Sequence, residues 1–411
     1  MTPLTPRRAV VVFLVFAFAY FLSALIRAIT ATLAPSLVPE FALDARDLGL
    51  LAGAYFLGFA ATQLPLGTWL DRYGPTRVLM GLMSVAVVGC MGFSQATSFY
   101  GLLGARVLCG VGVSACLMAP LTAYRRWYAP VNQMRANSWM LMVGSLGMVA
   151  STLPVQWMLP VVGWRPVFWL LAALVALAIA LIGWQTPAWE LPRSLDGTRP
   201  QVPGKPPSGY AEVWRHTYFR RLAPLGFFNF GGLVAMQTLW AAPWMVKVAG
   251  YSPLQASKGL FWINVAMLFT FWLWGMANPW LTRQGYTVDR LISYGMPVSM
   301  VFLAILVIAE EAVSTGAGAL LALFCVTSTV GALAQPAVGL AFRPELVGRA
   351  LSAFNLVIFC GIFSVQWGVG LLIDGFRALG LSEPAAYRGA IAAYGMCCIG
   401  AYVHFLLAKK P

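Results

Sequence analysis

Charge is what this 411-residue chain has least of: Asp, Glu, Lys and Arg make up 10% of residues against 60% hydrophobic ones, and mean hydropathy is +0.77. Soluble domains carry about 25% charged residues, so a water-soluble globule is excluded. Acids are especially few, 13 against 27 Lys and Arg, and there are only 2 histidines. No His, Cys, Asp or Glu cluster has ligand spacing, and no nucleophile stands beside a base within an apolar run, which argues against a metal centre, a cofactor and an enzyme. A G-x-x-x-x-G-K-[ST] loop is missing too, so ATP is not the expected energy source. The seven cysteines all lie in apolar segments, and Cys397-Cys398 is not a metal-ligand spacing; all are expected to be buried thiols.

What is present is length of apolar chain. A run of about 20 hydrophobic residues crosses a bilayer as a helix, and twelve runs can be delimited: 9–34, 46–68, 77–95, 98–124, 133–157, 165–187, 219–247, 254–279, 287–309, 314–342, 346–374 and 385–408. The first follows Arg7 and Arg8 but is too long for a signal peptide and lacks a small-x-small cleavage site, so it is expected to remain as a helix. The net charge of +14 is no sign of nucleic-acid binding, because nineteen of the 27 cations, Arg221 among them, lie on one side of such a topology. The positive-inside rule then sets both termini in the cytoplasm of a bacterial-type inner membrane, with basic loops against lipid phosphates.

Between the second and third runs lies Gly67-Thr68-Trp69-Leu70-Asp71-Arg72-Tyr73-Gly74-Pro75-Thr76-Arg77, which packs charge and glycine into a short turn. Gly67, Asp71, Arg72, Gly74 and Arg77 resemble the G-x-x-x-D-R-x-G loop, followed by basic residues, of the major facilitator superfamily of transporters. Pro75 and Thr76 depart from it, standing where many members are basic. Arg106-Val107-Leu108-Cys109-Gly110-Val111-Gly112 is similar to that superfamily's R-x-x-x-G-x-G stretch in helix four. The fifth run holds Gly144 and Gly147 without the Gly-Pro pair usual in the drug-proton antiporters of the superfamily.

The chain also repeats itself. Trp69-Leu70-Asp71-Arg72-Tyr73-Gly74 recurs as Trp280-Leu281-Thr282-Arg283-Gln284-Gly285, and Arg135-Ala136-Asn137-Ser138 recurs as Arg349-Ala350-Leu351-Ser352, with Gly147 answered by Gly361 and Pro120 by Pro336. Three matches in order at offsets of 211 to 216 indicate a duplicated six-helix unit. The expected fold is therefore all-α, two six-helix bundles related by a pseudo-two-fold axis: residues 1–187, a proline-rich cytoplasmic connector over 188–218, and residues 219–411. Parallel repeats of this kind hold a solute site between the halves near the midplane.

Ionisable residues inside spans are the default functional candidates, and here they are two arginines. Arg27 and Arg106 are each expected about 10–12 Å inside the outer end of their span, at ~1.5 Å per residue. The resemblance implies that helices one, four, seven and ten line the central cavity, which would bring both guanidinium forks to one space suited to a carboxylate or phosphate. Two bland readings stand beside this: Arg27 snorkels to the interface, and Arg106 bridges backbone carbonyls of neighbouring helices. Asn229, Gln237, Asn264, Gln335 and Asn355 are the neutral polar candidates for the rest of the site, and Trp240 either walls the cavity or joins the aromatic belt. Every acid falls in a loop or at a helix end, and His404 lies on the peripheral last helix.

These features point to a secondary transporter that moves a small organic anion by alternating access, with loop 67–77 and Arg283 as gate elements. The alternative is an efflux antiporter of the same superfamily for drugs or other amphipathic compounds. The expected partners are an anionic small-molecule solute, protons or a counter-anion, and membrane lipids; nucleic acid is not among them, and a monomer is expected.

Overall fold

The computed structural model describes residues 5–128, 130–185, 210–308 and 316–408; the connector over 188–209 and the side chain of Asp71 lie outside the described residues. No strand occurs among the described residues. That is what hydrocarbon demands, since each backbone N–H or C=O left unpaired there costs several kcal/mol and a helix satisfies both within one segment.

The first half consists of α1 (Pro6–Phe41), α2 (Ala45–Ala61, continued as Gln63–Tyr73), α3 (Pro75–Gln95), α4 (Phe99–Val113, continued as Met118–Trp127), α5 (Pro130–Ala150, continued as Leu153–Val162) and α6 (Trp164–Gln185). A short helix, Tyr210–Arg215, leads into the second half and occupies the end of the expected connector. The second half runs α7 (Thr217–Lys247), α8 (Pro253–Arg283), α9 (Val288–Ile308), α10 (Ala317–Leu340), α11 (Pro344–Ala378) and α12 (Glu383–Leu407). Among the described residues, eleven helices are long and apolar enough to cross a membrane, or twelve when α2, bent by 42°, counts as one span.

Three sequence expectations need correction. The first span does not stop at 34: α1 continues through Pro35 and Pro39 to Phe41, because a membrane helix can absorb proline when its neighbours cover the freed carbonyls. Arg27 therefore lies fourteen residues, or ~21 Å at 1.5 Å per residue, from that end of α1, about twice the expected distance. Not every cysteine is buried either, since Cys397 is exposed on α12 and Cys360 is half-buried.

The duplication is visible in the backbone. Gly74 and Gly285, equivalent in the two repeats, both end a helix at positive φ, +85° and +78°, where an L side chain would be strained. The turns before α6 and α12 match as well, with Gly163 at +76° and Gly380 at +91°. Gly147 and Gly361 do the same packing job: a Cβ on Gly147 would stand 2.3 Å from the Phe21 carbonyl oxygen, and one on Gly361 2.2 Å from that of Phe227. Only glycine lets α5 lie this close to α1, and α11 to α7.

The halves meet along α2 and α11, along α5 and α8, and where α1 crosses α7. Even crossing number puts the two chain ends at one face of the bundle, where the Tyr210 hydroxyl on the short helix before α7 donates to the Leu64 carbonyl of α2 at 3.4 Å; further hydrogen bonds tie the halves at the other face. Asp374 of α11 accepts the backbone N–H groups of Ala45 (3.3 Å) and Arg46 (2.7 Å), capping the start of α2. Ser257 of α8 donates to Gln156 of α5 at 3.2 Å. Beneath the Asp374 cap, Gly370 abuts the Ala45 carbonyl and Gly49 the Gln366 carbonyl, so no side chain wedges the two helices apart.

Candidate functional site

The site grows from one stripe of α1. Tyr20, Ser23 and Arg27 follow spacings of three and four residues and so share a helix face. The Arg27 guanidinium faces the hydroxyls of Tyr20 and of Tyr55 on α2, while Cys116, at the non-helical turn in the middle of α4, packs beside Ser23 and Arg27. Tyr55 in turn donates to the Ser23 carbonyl at 3.4 Å. Gly144 of α5 provides the seat for Tyr20, whose ring edge would be 2.4 Å from any Cβ there. Arg27 is half-buried rather than sealed, its Nε has no hydrogen-bond partner, and no carboxylate pairs with it among the described residues.

Arg106 takes the second of the two places open to it from sequence, on a backbone carbonyl of a neighbouring helix rather than in a shared cavity. It is fully buried, and its Nη1 donates to the Ile26 carbonyl at 2.9 Å, one residue before Arg27. Its Cζ lies 5.2 Å from the Tyr55 ring centroid, a cation–π distance. Gly110, one turn along, makes this approach feasible, because a Cβ there would sit 1.9 Å from the Tyr55 carbonyl oxygen. Arg106 thus braces α1 and Tyr55 and has no surface with which to meet a solute. Nε and Nη2 of Arg106 remain unpartnered, and no carboxylate pairs with Arg27 or Arg106 among the described residues.

The amides fall into two groups. Gln237 Nε2 donates to Asn264 Oδ1 at 2.8 Å, joining α7 to α8, and both side chains are buried. Trp240 Nε1 donates to the Gln366 carbonyl at 3.1 Å, and Gln366 Nε2 donates to Thr238 Oγ1 at 3.0 Å, joining α7 to α11. Trp240 and Trp244 are buried within protein and belong to no lipid-facing belt. These residues bridge helices, whereas Asn229 is buried with its Oδ1 unpartnered. Gln335 of α10 and Asn355 of α11 are different: both keep accessible surface, and Gln335 Nε2 donates to Asn355 Oδ1 at 2.5 Å. Of the eight expected site residues, Arg27, Gln335 and Asn355 can meet a solute without rearrangement, and Arg106, Asn229, Gln237, Trp240 and Asn264 are withdrawn behind them.

Helical regularity fails where these groups sit. In α7 the segments Leu225–Phe230 and Met236–Trp240 are π-helical, carrying Asn229, Gln237 and Thr238, and α10 tightens to a 3-10 helix over Thr329–Leu333, just before Gln335. Single π turns inside α-helices cluster at functional positions. Sequence reasoning passed over Tyr20, Ser23, Tyr55 and Cys116; the three-and-four spacing from Arg27 marks the first two, and nothing local marks the others.

Among the gate elements, Gly67, Arg72, Arg77 and Arg283 are exposed, and the Arg72 guanidinium lies 5.2 Å from the Tyr73 ring centroid. No hydrogen bond or ion pair joins Arg283 to the α2–α3 turn among the described residues, and Asp71 lies outside them. His404 is exposed on α12, away from Arg27. Arg221, counted from sequence among the nineteen cations of one side, is buried at the start of α7, donating to Asp289 at 2.5 Å and to the Phe405 carbonyl at 2.9 Å.

Comparison with known proteins bears on this arrangement. A family model described as Major Facilitator Superfamily matches residues 16–366. The chain is 26% identical to a gallate transporter of Pseudomonas putida, across 89% of this chain and 87% of that one. Two relatives from Pseudomonas aeruginosa match over shorter stretches: a chloramphenicol resistance protein (29% identity, 36% of this chain and 34% of the relative) and the 4-hydroxybenzoate transporter PcaK (28%, 44% and 40%). The chain thus spans well under half the length of either. A bacterial homologue of the human lysosomal transporter Spinster, in an inward-facing and unoccupied conformation, superposes with a TM-score of 0.79 at 18% identity, across 98% of this chain and 97% of that one. With a family match over most of its length, eleven or twelve membrane-length helices among the described residues and the same fold in a solved structure, this chain belongs to the major facilitator superfamily and is a multi-pass membrane protein.

Proposed function

We propose that the protein moves a small organic anion of the carboxylate type across the bacterial inner membrane by alternating access, with Arg27 as its anion-binding group. The observation that carries this reading is a half-open, mid-bundle guanidinium with a free Nε, two hydroxyls in front of it and no carboxylate partner. An arginine keeps its proton at any physiological pH, and an unbalanced charge inside a membrane is costly, so the missing counter-ion is best supplied by the cargo. Tyr20 offers its hydroxyl to the same carboxylate, Tyr55, whose proton goes to the Ser23 carbonyl, faces the guanidinium from α2, and Arg106 holds Arg27 in position through the Ile26 carbonyl. Relatives named for gallate and 4-hydroxybenzoate, both carboxylates, are in keeping with this chemistry.

On this reading both termini face the cytoplasm, the Asp374 cap and the Ser257–Gln156 bond close the outer side, and loop 67–77 with Arg283 latches the inner side in the opposite state. A cysteine in place of Pro200 should react with an impermeant thiol reagent from the cytoplasmic side alone; labelling from outside would reverse the topology. The second reading, efflux of amphipathic compounds, draws on the match to a chloramphenicol resistance protein. Counterflow in proteoliposomes separates the two: benzoate should exchange with wild type and fail with Arg27→Gln, whereas exchange of a lipophilic cation that survives Arg27→Gln would favour efflux.

A further inference from the structure

A cavity of about 270 Å³ opens between the halves at the face away from the chain termini, where α1, α2, α7 and α8 converge. Its floor is made of small side chains, Ala31, Ala34, Ala242 and Ala256, all buried, and its rim carries the exposed Pro39 and Lys247. Ala31 is one helical turn beyond Arg27 on α1, so the lining continues the face that carries the anion-binding arginine. Four prolines, two from α1 and one each from α7 and α8, stand in the wall. Proline rings are stiff, and they hold the pocket open where flexible side chains would collapse into it.

Size and charge say what fits. An apolar cavity of about 150 Å³ accommodates a benzene ring, so this one has room for a substituted six-membered ring. The wall is apolar, which rules against a bare inorganic ion, yet the single cation at the mouth favours an anionic end. Lys247 Nζ already contacts Glu383 at 3.2 Å, but an ammonium has three donors and can take a second carboxylate.

We infer that this vestibule is a second binding site, in which one molecule of a cyclic organic carboxylate rests with its ring on the alanine floor and its carboxylate on Lys247, one step outside Arg27. The inference rests on the proposed anion transport for the choice of ligand class. The site stages cargo on the outer side while the halves are closed beyond it, and it is emptied when α1 and α7 part.

Benzoate is the probe and a cysteine at Val246, which lines the same cavity, is the reporter. In the full-length protein, benzoate should slow modification of V246C by a membrane-impermeant thiol reagent at least threefold, read at that position by peptide mass. The protection should persist in the Arg27→Gln background, because the vestibule binds on its own. Ala34→Phe should abolish it by filling the floor. Lys247→Gln, an exposed change that spares the core should Ala34→Phe fail to fold, should raise the protecting concentration about tenfold. Absence of protection in wild type, or protection that vanishes with Arg27→Gln and ignores Lys247→Gln, overturns the second site. Neither result touches the proposed transport, whose failure reads separately as benzoate counterflow unaffected by Arg27→Gln.

Discussion

The two halves of this protein share a backbone and divide the chemistry. Gly147 and Gly361 pack the same way, Gly74 and Gly285 turn the same way, yet the first half holds Arg27 and Arg106 while the second, at the position that the repeat offset matches to Arg27, holds Thr238 among buried amides. The helix bearing Arg27 is α-helical throughout, whereas its counterpart α7 loosens into two π segments. Symmetry is thus kept where it closes helices together and abandoned around Arg27, the proposed solute contact. The first half places unpaired arginines at the proposed site, and the second places neutral hydrogen-bonding groups there on a backbone less tightly wound.

That comparison can be broken first at its glycines. Leucine at Gly147 or at Gly361 drives a side chain into a backbone carbonyl and should cost about 3 kcal/mol or more, at the upper end of overpacking penalties. Thermal denaturation in detergent should show similar losses for both variants; a loss for one alone would mean that the repeat is equivalent in sequence but not in packing. Arg106→Gln is next in size. It removes a charge-assisted hydrogen bond to the Ile26 carbonyl, worth about 1.5–3 kcal/mol, so melting temperature and expression should fall while the surviving protein keeps most of its anion affinity. A collapse of affinity without a change in melting temperature would instead make Arg106 a ligand-contacting residue.

The smallest expected effects concern the gates. Asp374→Asn keeps the size of the α2 cap but gives up its charge at a helix N-terminus, typically about 0.3–1 kcal/mol. Cysteine accessibility on the outer face should rise severalfold, and unchanged accessibility would show that the glycine-lined α2–α11 contact closes this side alone. Asp71→Asn should depress transport with near-normal expression, and full transport would reduce loop 67–77 to a lipid anchor.

Much of the fold was legible because hydrocarbon imposes it: twelve apolar runs and a drifting offset near 211 leave few alternatives. The site was less legible. Arg27 stood out, since an arginine in a span has no cheap explanation, but its depth was misjudged because Pro35 and Pro39 look like helix ends from sequence and are absorbed within α1. Arg106 could be read from sequence either as a second cavity cation or as a bridge to backbone carbonyls, and the close approach that Gly110 permits spends it on Ile26 and Tyr55. The amides Gln237 and Asn264 carry no mark that distinguishes a helix bridge from a ligand, because one hydrogen bond between them decides it. Tyr55 was invisible for the same reason, as its partners lie on another helix.

The central claim is that Arg27 provides the fixed charge that a carboxylate cargo meets at the central site, inside the vestibule. Its most direct test is the dissociation constant of benzoate for wild type, Arg27→Lys and Arg27→Gln, measured on purified protein with melting temperature followed in parallel. Lysine keeps the charge but loses the planar fork, and glutamine loses both. The constant should therefore rise in Arg27→Lys and rise further in Arg27→Gln, by about ten- to a hundredfold for the latter, with melting temperature nearly unchanged. Equal constants in all three proteins would contradict the account.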